Sequence, residues 1–401
     1  MRGWRPTSWG EICTLAYGKS IKGYQDKREG YPVYGTNGPI GYWDTPLQNE
    51  SGLIIGRKGA YRGVHYSNGP FFVIDTAYAL KTSNEVDTRW AYYSLLNVDI
   101  NSMDSGSAIP STSREDFYGI PVHLPPLPEQ REIAGILGAL DDKIELNRRM
   151  AATLEEMARS LYRSWFVDFD PVHAKAAGHP PAHMDKATAA LFPDRFGDDG
   201  LPEGWRMVGL PEIATFLNGA ALQKFPEEEG IASLPVIKIA ELRNGVTPKS
   251  GRATSRIPEK YLVNNGDVLF SWSGSLLQKV WTEGQGALNQ HLFKVTSDIV
   301  PKWFHFFGVD QHMEDFQLTA QSKATTMGHI QRHHLDDAKV CLPPDNVLSA
   351  ADVMVQPIFE KAIAVQLENQ TLATLRDSLL PRLMSGELRV GAAREQIEEY
   401  M

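Results

Sequence analysis

Apolar residues between positions 133 and 165 recur at alternating spacings of four and three, a pattern that predicts a helix packed along a narrow stripe against another helix. Prolines at 125, 126 and 128 end the preceding element, so we expect the helix to begin near Glu129. About 38 residues at ~1.5 Å each give a length of about 57 Å. The stripe, here called the seam, comprises Ile133, Leu137, Leu140, Ile144, Asn147, Ala151, Leu154, Ala158, Leu161 and Trp165.

A second seam follows in the same chain, at an offset of 218 in the numbering. The Leu-Pro-Pro at 124–126 recurs at 342–344, and matches continue from Lys143 and Lys361 to Leu161 and Leu379. Two unrelated amphipathic helices are the competing explanation. Because Pro357 lies inside the second pattern, we expect a kink or a late start there. The second seam comprises Ala351, Val355, Ile358, Ala362, Val365, Asn369, Leu372, Arg376, Leu379 and Leu383.

The segments before the two helices also repeat. Trp4 and Gly18 recur as Trp205 and Gly219, at an offset of 201, and the offset grows to 218 by the second Leu-Pro-Pro. The chain is therefore predicted to be two copies of a globular segment followed by a long helix. The predicted boundaries are 1–124 and 204–342 for the globular segments, 125–167 and 343–385 for the helices, 168–203 for a crossover linker and 386–401 for a tail.

Each globular segment is predicted to contain many short strands. Residues 31–43 alternate aromatic or β-branched side chains with Gly and Asn turn signals, and 53–56 and 71–80 are also strand-like. A helix is expected at 89–97. In the second segment VLFSWSGS at 268–275 takes the place of LIIGRKGA at 53–60, an offset of 215, and the linker is expected to carry one short helix at Lys186–Leu191.

Two loops of the first segment have the composition of a nucleic-acid contact. GRKGAYRG at 56–63 combines basic and aromatic side chains with glycines that permit close approach, and the loop at 102–116 carries short polar side chains. A solvated basic hairpin tip, and for Arg114 a structural salt bridge, are the alternatives. The candidates are Arg57, Lys58, Tyr61, Arg62, Ser107, Ser111, Ser113 and Arg114.

The corresponding parts of the second segment carry different polar side chains. Two related domains that recognise different DNA sequences would differ in this way. Neutral divergence between the two copies would produce the same pattern. The candidates are Lys249, Arg252, Thr254, Arg256, Ser271, Trp272, Ser273, Gln278, Lys279, Asn289, Gln290, Lys323, Thr325, Thr326 and Gln331.

Charge and cysteine content narrow the class of protein. The net charge of the chain is −9. Residues 1–124 hold 12 basic and 12 acidic side chains, and residues 201–342 hold 14 basic and 15 acidic ones, so the globular segments are nearly neutral. They can therefore still present a face that reads DNA. The acidic helices favour protein partners. Two cysteines and no apolar run of about 18 residues predict a cytoplasmic protein without a membrane segment.

No enzyme motif survives inspection, so we assign no catalytic residue, no metal ligand and no cofactor to this chain. Gly18-Lys19-Ser20 resembles the end of a phosphate-binding loop, but Cys13 stands where that loop needs glycine. His173, His179 and His183 lack nearby cysteines and a metal-binding spacing.

Four strings, in order, resemble the specificity (S) subunits of type I restriction-modification enzymes. They are LPPLPEQREIAGILGALDDKIELNRRM at 124–150, SLYRSWFVDFDPV at 160–172, ALFPDRF followed by LPEGW at 190–205, and TLATLRDSLLPRLMSGEL at 371–388. The resemblance covers nearly the whole chain. It implies an α/β (α+β) fold with two target-recognition domains of mixed β-sheet and helices, separated by two long helices in an antiparallel coiled coil with pseudo-twofold symmetry.

The resemblance also implies a non-catalytic subunit that recognises double-stranded DNA with a bipartite site, one half for each domain, with helix length setting the spacer. The implied partners are two methyltransferase (M) subunits, which use S-adenosylmethionine, and restriction/translocase (R) subunits, which use ATP and Mg. A coiled-coil scaffold that binds proteins and does not read DNA is the alternative. A fused methyltransferase would need a cofactor-binding domain that the sequence lacks.

Overall fold

The computed structural model describes residues 3–103, 110–322 and 328–398. It divides into two compact units, Met1–Ile144 with Leu372–Met401, and Glu145–Thr371. The strands are β1 (Arg5–Ser8), β2 (Cys13–Tyr17), β3 (Tyr31–Gly35), β4 (Gly38–Trp43), β5 (Gly52–Gly56), β6 (Val64–Ser67), β7 (Phe72–Val73), β8 (Ala77–Thr82), β9 (Pro121–Leu124), β10 (Arg206–Gly209), β11 (Thr215–Asn218), β12 (Ser233–Ile237), β13 (Arg252–Thr254), β14 (Leu262–Val263), β15 (Val268–Ser271), β16 (Gln278–Val280), β17 (Gly286–Leu288), β18 (Leu292–Thr296) and β19 (Lys339–Leu342).

The helices are α1 (Trp9–Ile12), α2 (Thr88–Leu96), α3 (Arg114–Gly119), α4 (Leu127–Phe166), α5 (Asp170–Ala176), α6 (Lys186–Leu191), α7 (Leu210–Ile213), α8 (Ile239–Asn244), α9 (Lys302–Asp310), α10 (Met313–Ser322), α11 (Arg332–Asp337), α12 (Asp345–Met384) and α13 (Val390–Glu398). Short 3-10 helices lie at Ile100–Ser102, Leu222–Lys224 and Glu259–Tyr261.

The described residues of the first unit form three sheets. Strands β2-β8-β5-β6 form an antiparallel sheet, and β4-β3-β7 form a second one in which β3 and β7 run parallel. Strands β1 and β9 pair with Arg5 opposite Leu124, which brings the start of the chain to the entry of α4. Trp9 and Trp90 are buried in the core that these elements share with α4 and α12.

The second unit repeats this topology and adds β14 to the sheet that contains β12 and β17. Strands β11-β18-β15-β16 correspond to β2-β8-β5-β6, and β12 pairs parallel with β17 as β3 does with β7. Strands β10 and β19 pair with Arg206 opposite Leu342, which reproduces the Arg5–Leu124 register at offsets of 201 and 218. The internal duplication predicted from the sequence is therefore a duplication of sheet topology.

Helices α4 and α12 contain 40 residues each. Helix α4 begins at Leu127, slightly before the predicted start at Glu129, and Pro128 is tolerated there because first-turn N–H groups have no partner within the helix. Helix α12 runs from Asp345 through Pro357, so the expected late start is wrong. Pro357 has no N–H, so the carbonyl of Val353, four residues earlier, loses its hydrogen-bond donor within the helix. Pro357 lies on an exposed face and Val353 is 77% exposed, so water can donate to that carbonyl instead.

The two long helices pair antiparallel within each unit. In the first unit Arg376 of α12 lies 2.7 Å from Asp141 of α4. In the second unit Asn147 donates to Glu368 at 3.0 Å. Most of the buried seam residues belong to the same core as the adjoining sheets, and these are Ile133, Leu137, Leu140, Ile144, Leu372, Leu379 and Leu383 in the first unit and Ala158, Trp165, Ala351 and Val355 in the second. Asn147, Ala151, Ala362 and Val365 of the seams are buried as well, outside those two clusters.

The seam prediction needs adjustment in the second unit. Leu154, Leu161 and Ile358 are only partly buried, whereas the adjacent Tyr162 and Phe359 are buried at 2% exposure. The reason is that each helix packs on sheets and other helices as well as on its partner, so the apolar stripe is wider than a two-position heptad.

The linker also contains a helix that sequence reasoning missed. Helix α6 has the predicted bounds, but α5 was not expected. Val172 of α5 and Phe192 after α6 are buried in the core of the second unit. The linker thus packs on that unit through single apolar side chains.

Candidate nucleic-acid interface

Two arginines and two tyrosines cluster at the end of β2 in the first unit. The guanidinium carbons of Arg57 and Arg114 lie 4.7 and 3.9 Å from the ring centre of Tyr17. The Tyr17 ring lies 5.2 Å from that of Tyr78, and burial raises the pKa of the Tyr78 hydroxyl. Within the described residues neither arginine pairs with a carboxylate. The cluster therefore presents positive charge that no described side chain neutralises, which favours an anionic ligand.

Backbone hydrogen bonds fix the loop that carries Arg57. Its N–H donates to the Thr76 carbonyl at 2.9 Å, and its Nη1 donates to the Asp75 carbonyl at 2.9 Å. On the other side, Gly59 donates to Pro110 at 3.0 Å and Lys58 forms a β-bridge with Ser111. The two loops identified in the sequence therefore meet along this edge.

The second unit contains the counterpart of this loop. Trp272 donates through its backbone N–H to the His291 carbonyl at 3.4 Å, and through Nε1 to the Gln290 carbonyl at 3.2 Å and to Asn218 Oδ1 at 3.1 Å. Gly274 donates to Gly328 at 2.7 Å. Ser273 forms a β-bridge with His329, which is the position that matches Ser111 at an offset of 218.

The contacts of the two loops therefore match position by position. The side chain of Arg57 donates to the Asp75 carbonyl, and that of Trp272 donates to the carbonyl of Gln290, which matches Asp75 at an offset of 215. The glycine two residues later donates to Pro110 in the first unit and, at an offset of 218, to Gly328 in the second. We call this shared set of backbone contacts the loop frame. The side chains that the frame holds at matching positions are Tyr17 and Asn218, Arg57 and Trp272, Lys58 and Ser273, Thr76 and His291, Tyr78 and Phe293, and Ser111 and His329.

Glycine is required where each frame meets the end of its first strand. A Cβ at Gly18 would overlap the Ile74 carbonyl oxygen, and a Cβ at Gly219 would overlap that of Asn289, which is the matching position. The strand end therefore lies against the backbone of the next segment in both units, and this contact positions Tyr17 and Asn218.

Arg62 is a correction to the predicted site. It is 3% exposed, and its Nη2 donates to the backbone carbonyls of Ile100, Asn101 and Met103. Its guanidinium ties the loop to the segment after α2, so the structure contradicts a surface contact by this residue. Lys58 and Tyr61 remain exposed.

Four predicted residues of the second unit are also buried. Ser271 is fully buried and donates to the Ser275 carbonyl at 2.8 Å, and Ser273 bonds His291 Nδ1 at 3.0 Å. Asn289 and Thr254 are 6% and 3% exposed. Because these four side chains are buried in the structure, they offer no surface for a contact with DNA.

Four further candidates are engaged in contacts within the second unit. Arg252 lies 3.5 Å from Glu227, Arg256 lies 3.3 Å from Glu228 and Lys279 lies 3.9 Å from Glu283. Gln278 donates to the Phe306 carbonyl at 2.8 Å. These pairs offset the positive charge that composition alone suggested.

The remaining candidates lie at loop and helix ends or outside the description. Ser113 caps α3 by accepting from the Asp116 N–H, Gln331 precedes α11, and Lys249 is exposed. Ser107, Lys323, Thr325 and Thr326 lie outside the described residues.

Sequence reasoning missed Tyr17, Asn218, His291 and His329. The first two directly precede Gly18 and Gly219, so the offset of 201 held a signal that could have found them. The two histidines could be found only with the strand pairing known, because they belong to later segments of the chain that join the loop frame through backbone contacts.

A search of the described ranges finds no group of three or more His, Cys, Asp or Glu side chains placed to hold a metal ion. Burial raises the pKa of the Cys13 and Cys341 thiols to about 12. Of the helices that the structure describes, none is long and apolar enough to cross a membrane.

Comparison with known proteins agrees with this architecture. The family model for the type I restriction modification DNA specificity domain matches residues 1–156 and 202–375. The MjaIX specificity subunit of Methanocaldococcus jannaschii is 25% identical over 73% of this chain and 66% of its own length. The HindI specificity subunit of Haemophilus influenzae is 25% identical over 70% of this chain and 71% of its own. A crystal structure of a type I system S subunit from M. genitalium has a TM-score of 0.55 at 17% identity, covering 95% of this chain and 96% of that one.

The fold and the repeated loop frame define a duplicated α/β recognition protein in which two similar units present the same backbone with different side chains. The chain belongs to the family of type I restriction-modification DNA specificity subunits, since the family model covers both copies. The family and fold class predicted from the sequence are confirmed. Members of this family recognise DNA and leave the chemistry to other subunits.

Proposed function

We propose that this chain is the non-catalytic subunit of a type I restriction-modification complex that reads double-stranded DNA at a bipartite site. The observation that carries the proposal is the loop frame, which occurs once in each unit with different side chains. Two copies of one frame suit two half-sites, and different side chains suit two different half-site sequences.

We further propose that α4 and α12 set the spacer between the half-sites. A helix of 40 residues spans about 60 Å at ~1.5 Å per residue, and DNA rises ~3.4 Å per base pair. About 18 base pairs would match that length. The boundaries predicted from the sequence, with recognition domains at 1–124 and 204–342 and long helices at 125–167 and 343–385, form part of this proposal.

The partners in this proposal are two M subunits, which bind S-adenosylmethionine and methylate adenine, and R subunits, which use ATP and Mg. The acidic excess on the helices, linker and tail favours protein docking there. A cytoplasmic location, where host DNA and these partners meet, completes the proposal.

Co-expression of the chain with an M subunit tests this function. We expect a stable complex and, in host DNA, methylated adenines within a split motif that has a fixed gap. Deleting seven residues, two helical turns, from each long helix should shorten the gap by about three base pairs, since ~10.5 Å is lost. Both half-site sequences should stay the same.

Two outcomes would contradict the proposal. A stable complex that neither binds nor methylates DNA favours the alternative, a coiled-coil scaffold that binds proteins. A gap that stays constant in the deletion variant removes the role of the helices as a ruler and leaves DNA reading intact.

A further inference from the structure

We propose that the residues of each loop frame divide the recognition of DNA between them. Arg114 and Arg332 contact the phosphate backbone, whereas the side chains at 57 and 272 contact base edges. This inference rests on the proposed function and assigns chemistry to individual positions within it.

Both copies carry an arginine at the same position. Arg114 and Arg332 are related by the offset of 218 and begin α3 and α11. Arg114 packs on Tyr17, but the counterpart of Tyr17 is Asn218, so stacking on an aromatic ring cannot explain an arginine in both units.

What the two units share at this position is an arginine two residues after a backbone contact of the frame, from the Thr112 N–H to the Arg57 carbonyl and from the Ile330 N–H to the Trp272 carbonyl. No ion pair joins either arginine to a carboxylate of the described residues. Arg114 is partly exposed, and within the described residues no group accepts a hydrogen bond from its guanidinium, of which only Nε is buried. A forked donor with unused capacity suits bidentate binding of a phosphate. Because phosphates are the same in every sequence, the residue that binds them need not differ between the copies.

Another position of the frame differs between the copies, with Arg57 in the first unit and Trp272 in the second. Arg57 and Trp272 are held by the same backbone contacts, so neither is displaced by a difference in the loop. The side chain of Arg57 donates through Nη1 to the Asp75 carbonyl, which leaves further guanidinium donors for the O6 and N7 acceptors of guanine. The Nε1 of Trp272 is used by Gln290 and Asn218, which leaves an apolar ring that suits a thymine methyl group.

The test uses the complex of this chain with its M subunits and a pool of duplexes randomised across both half-sites. Bound duplexes are sequenced for the wild type and for Arg57→Trp, Arg57→Lys and Trp272→Arg. We expect Arg57→Trp to lose preference for guanine at one position by about 5- to 150-fold while the other half-site stays unchanged. Arg57→Lys keeps the charge but loses the fork, so it should lose the guanine preference and keep the salt dependence. Trp272→Arg should gain a preference for guanine in the other half-site, because the frame then holds an arginine in both units.

The phosphate contacts are tested with Arg114→Gln and Arg332→Gln. Each should select the wild-type sequences, bind all of them more weakly and reduce the slope of log affinity against log salt by about 1. Arg5→Gln and Arg206→Gln are matched controls, because these residues are related by the offset of 201 and lie on β1 and β10. They remove the same charge and should leave slope and selected sequence unchanged.

Thermal unfolding of each complex establishes that it is folded. The division of roles is overturned if Arg57→Lys keeps the guanine preference, or if Arg114→Gln changes the selected bases with an unchanged salt slope. If the wild-type complex selects no split motif, the proposed function itself fails. The two failures are therefore distinguishable.

Discussion

Arg376 and Asp141 form an ion pair of 2.7 Å between the two long helices in the first unit. The hydroxyl of Tyr93 donates to the other oxygen of the same carboxylate at 2.6 Å, which connects the pair to α2. At the positions that match Asp141 and Arg376 through the offset of 218, the second unit has Phe359 and Ala158, both buried. At this pair of positions, therefore, the first unit has an ion pair and the second unit has buried apolar side chains.

We expect Arg376→Ala to lower the free energy of unfolding by about 1–3 kcal/mol, because it leaves a partly buried carboxylate without its cation. Urea unfolding followed by circular dichroism measures the change, and a double-mutant cycle with Asp141→Ala isolates the pair. The control is Arg148→Ala, whose partner Glu145 lies 3.9 Å away on the surface and should contribute almost nothing. A coupling energy below about 0.5 kcal/mol would contradict the role assigned to the pair.

The matching position in the second unit predicts a larger effect. Phe359 packs on Phe306 and Phe307 with ring centres 5.3 and 5.8 Å away. Phe359→Ala should cost about 3–5 kcal/mol in the same unfolding experiment, since it removes buried apolar surface and leaves a cavity. Val353→Ala on the same helix is the control, and because Val353 is 77% exposed its effect should lie within about 0.5 kcal/mol. Equal costs for the two variants would rule out this packing as a source of stability.

The duplication and the long helices could be predicted from the sequence because both are encoded in residue spacing. Helix α4 begins at Leu127, close to the predicted Glu129, and the bounds of α6 agree. Sheet order could not be read, since β2 pairs with β8, which follows β3 to β7 in the chain, and no local pattern encodes such a distant partner.

The loops that form the candidate site could be predicted from the sequence, whereas the individual residues that are available for binding could be predicted only in part. The composition of the sequence located the loop that carries Arg57. Arg62 in the same loop, however, donates its hydrogen bonds to backbone carbonyls of the distant segment after α2. Hydrogen-bond partners that come from distant segments decide which polar side chains stay available, and a sequence does not show where those segments meet.

Replacement of Pro357 is predicted to raise the free energy of unfolding, unlike the two substitutions above. Pro357→Ala restores an N–H that can donate to the Val353 carbonyl, and alanine is about 3 kcal/mol more favourable than proline inside a helix. We expect the free energy of unfolding to rise by about 1–3 kcal/mol. The exposed Lys361→Ala, one turn later, is the matched control and should change little. A less stable Pro357→Ala variant would show that the proline positions α12 against its neighbours.

His305 of α9 predicts how stability depends on pH. Its side chain is buried at 2% exposure, and Nδ1 finds no partner among the described atoms. Burial, helped by the positive charge of Lys302, lowers the pKa of His305 from 6.5 to about 4. Between these values the unfolded chain binds a proton that the folded chain does not. The stability that His305 contributes is therefore complete above pH 6.5 and is lost as the pH falls toward 4.

The loss attributable to His305 should approach about 3 kcal/mol across that interval, since one pKa unit corresponds to about 1.4 kcal/mol. Carboxylates titrate in the same range, so the wild type is compared with His305→Gln, which keeps a polar side chain of similar size but cannot titrate. Urea unfolding at half-unit steps from pH 4.5 to 7.5 should give a shallower pH dependence for the variant. Parallel curves, offset by a constant amount, would show that His305 is protonated equally in the folded and unfolded chains.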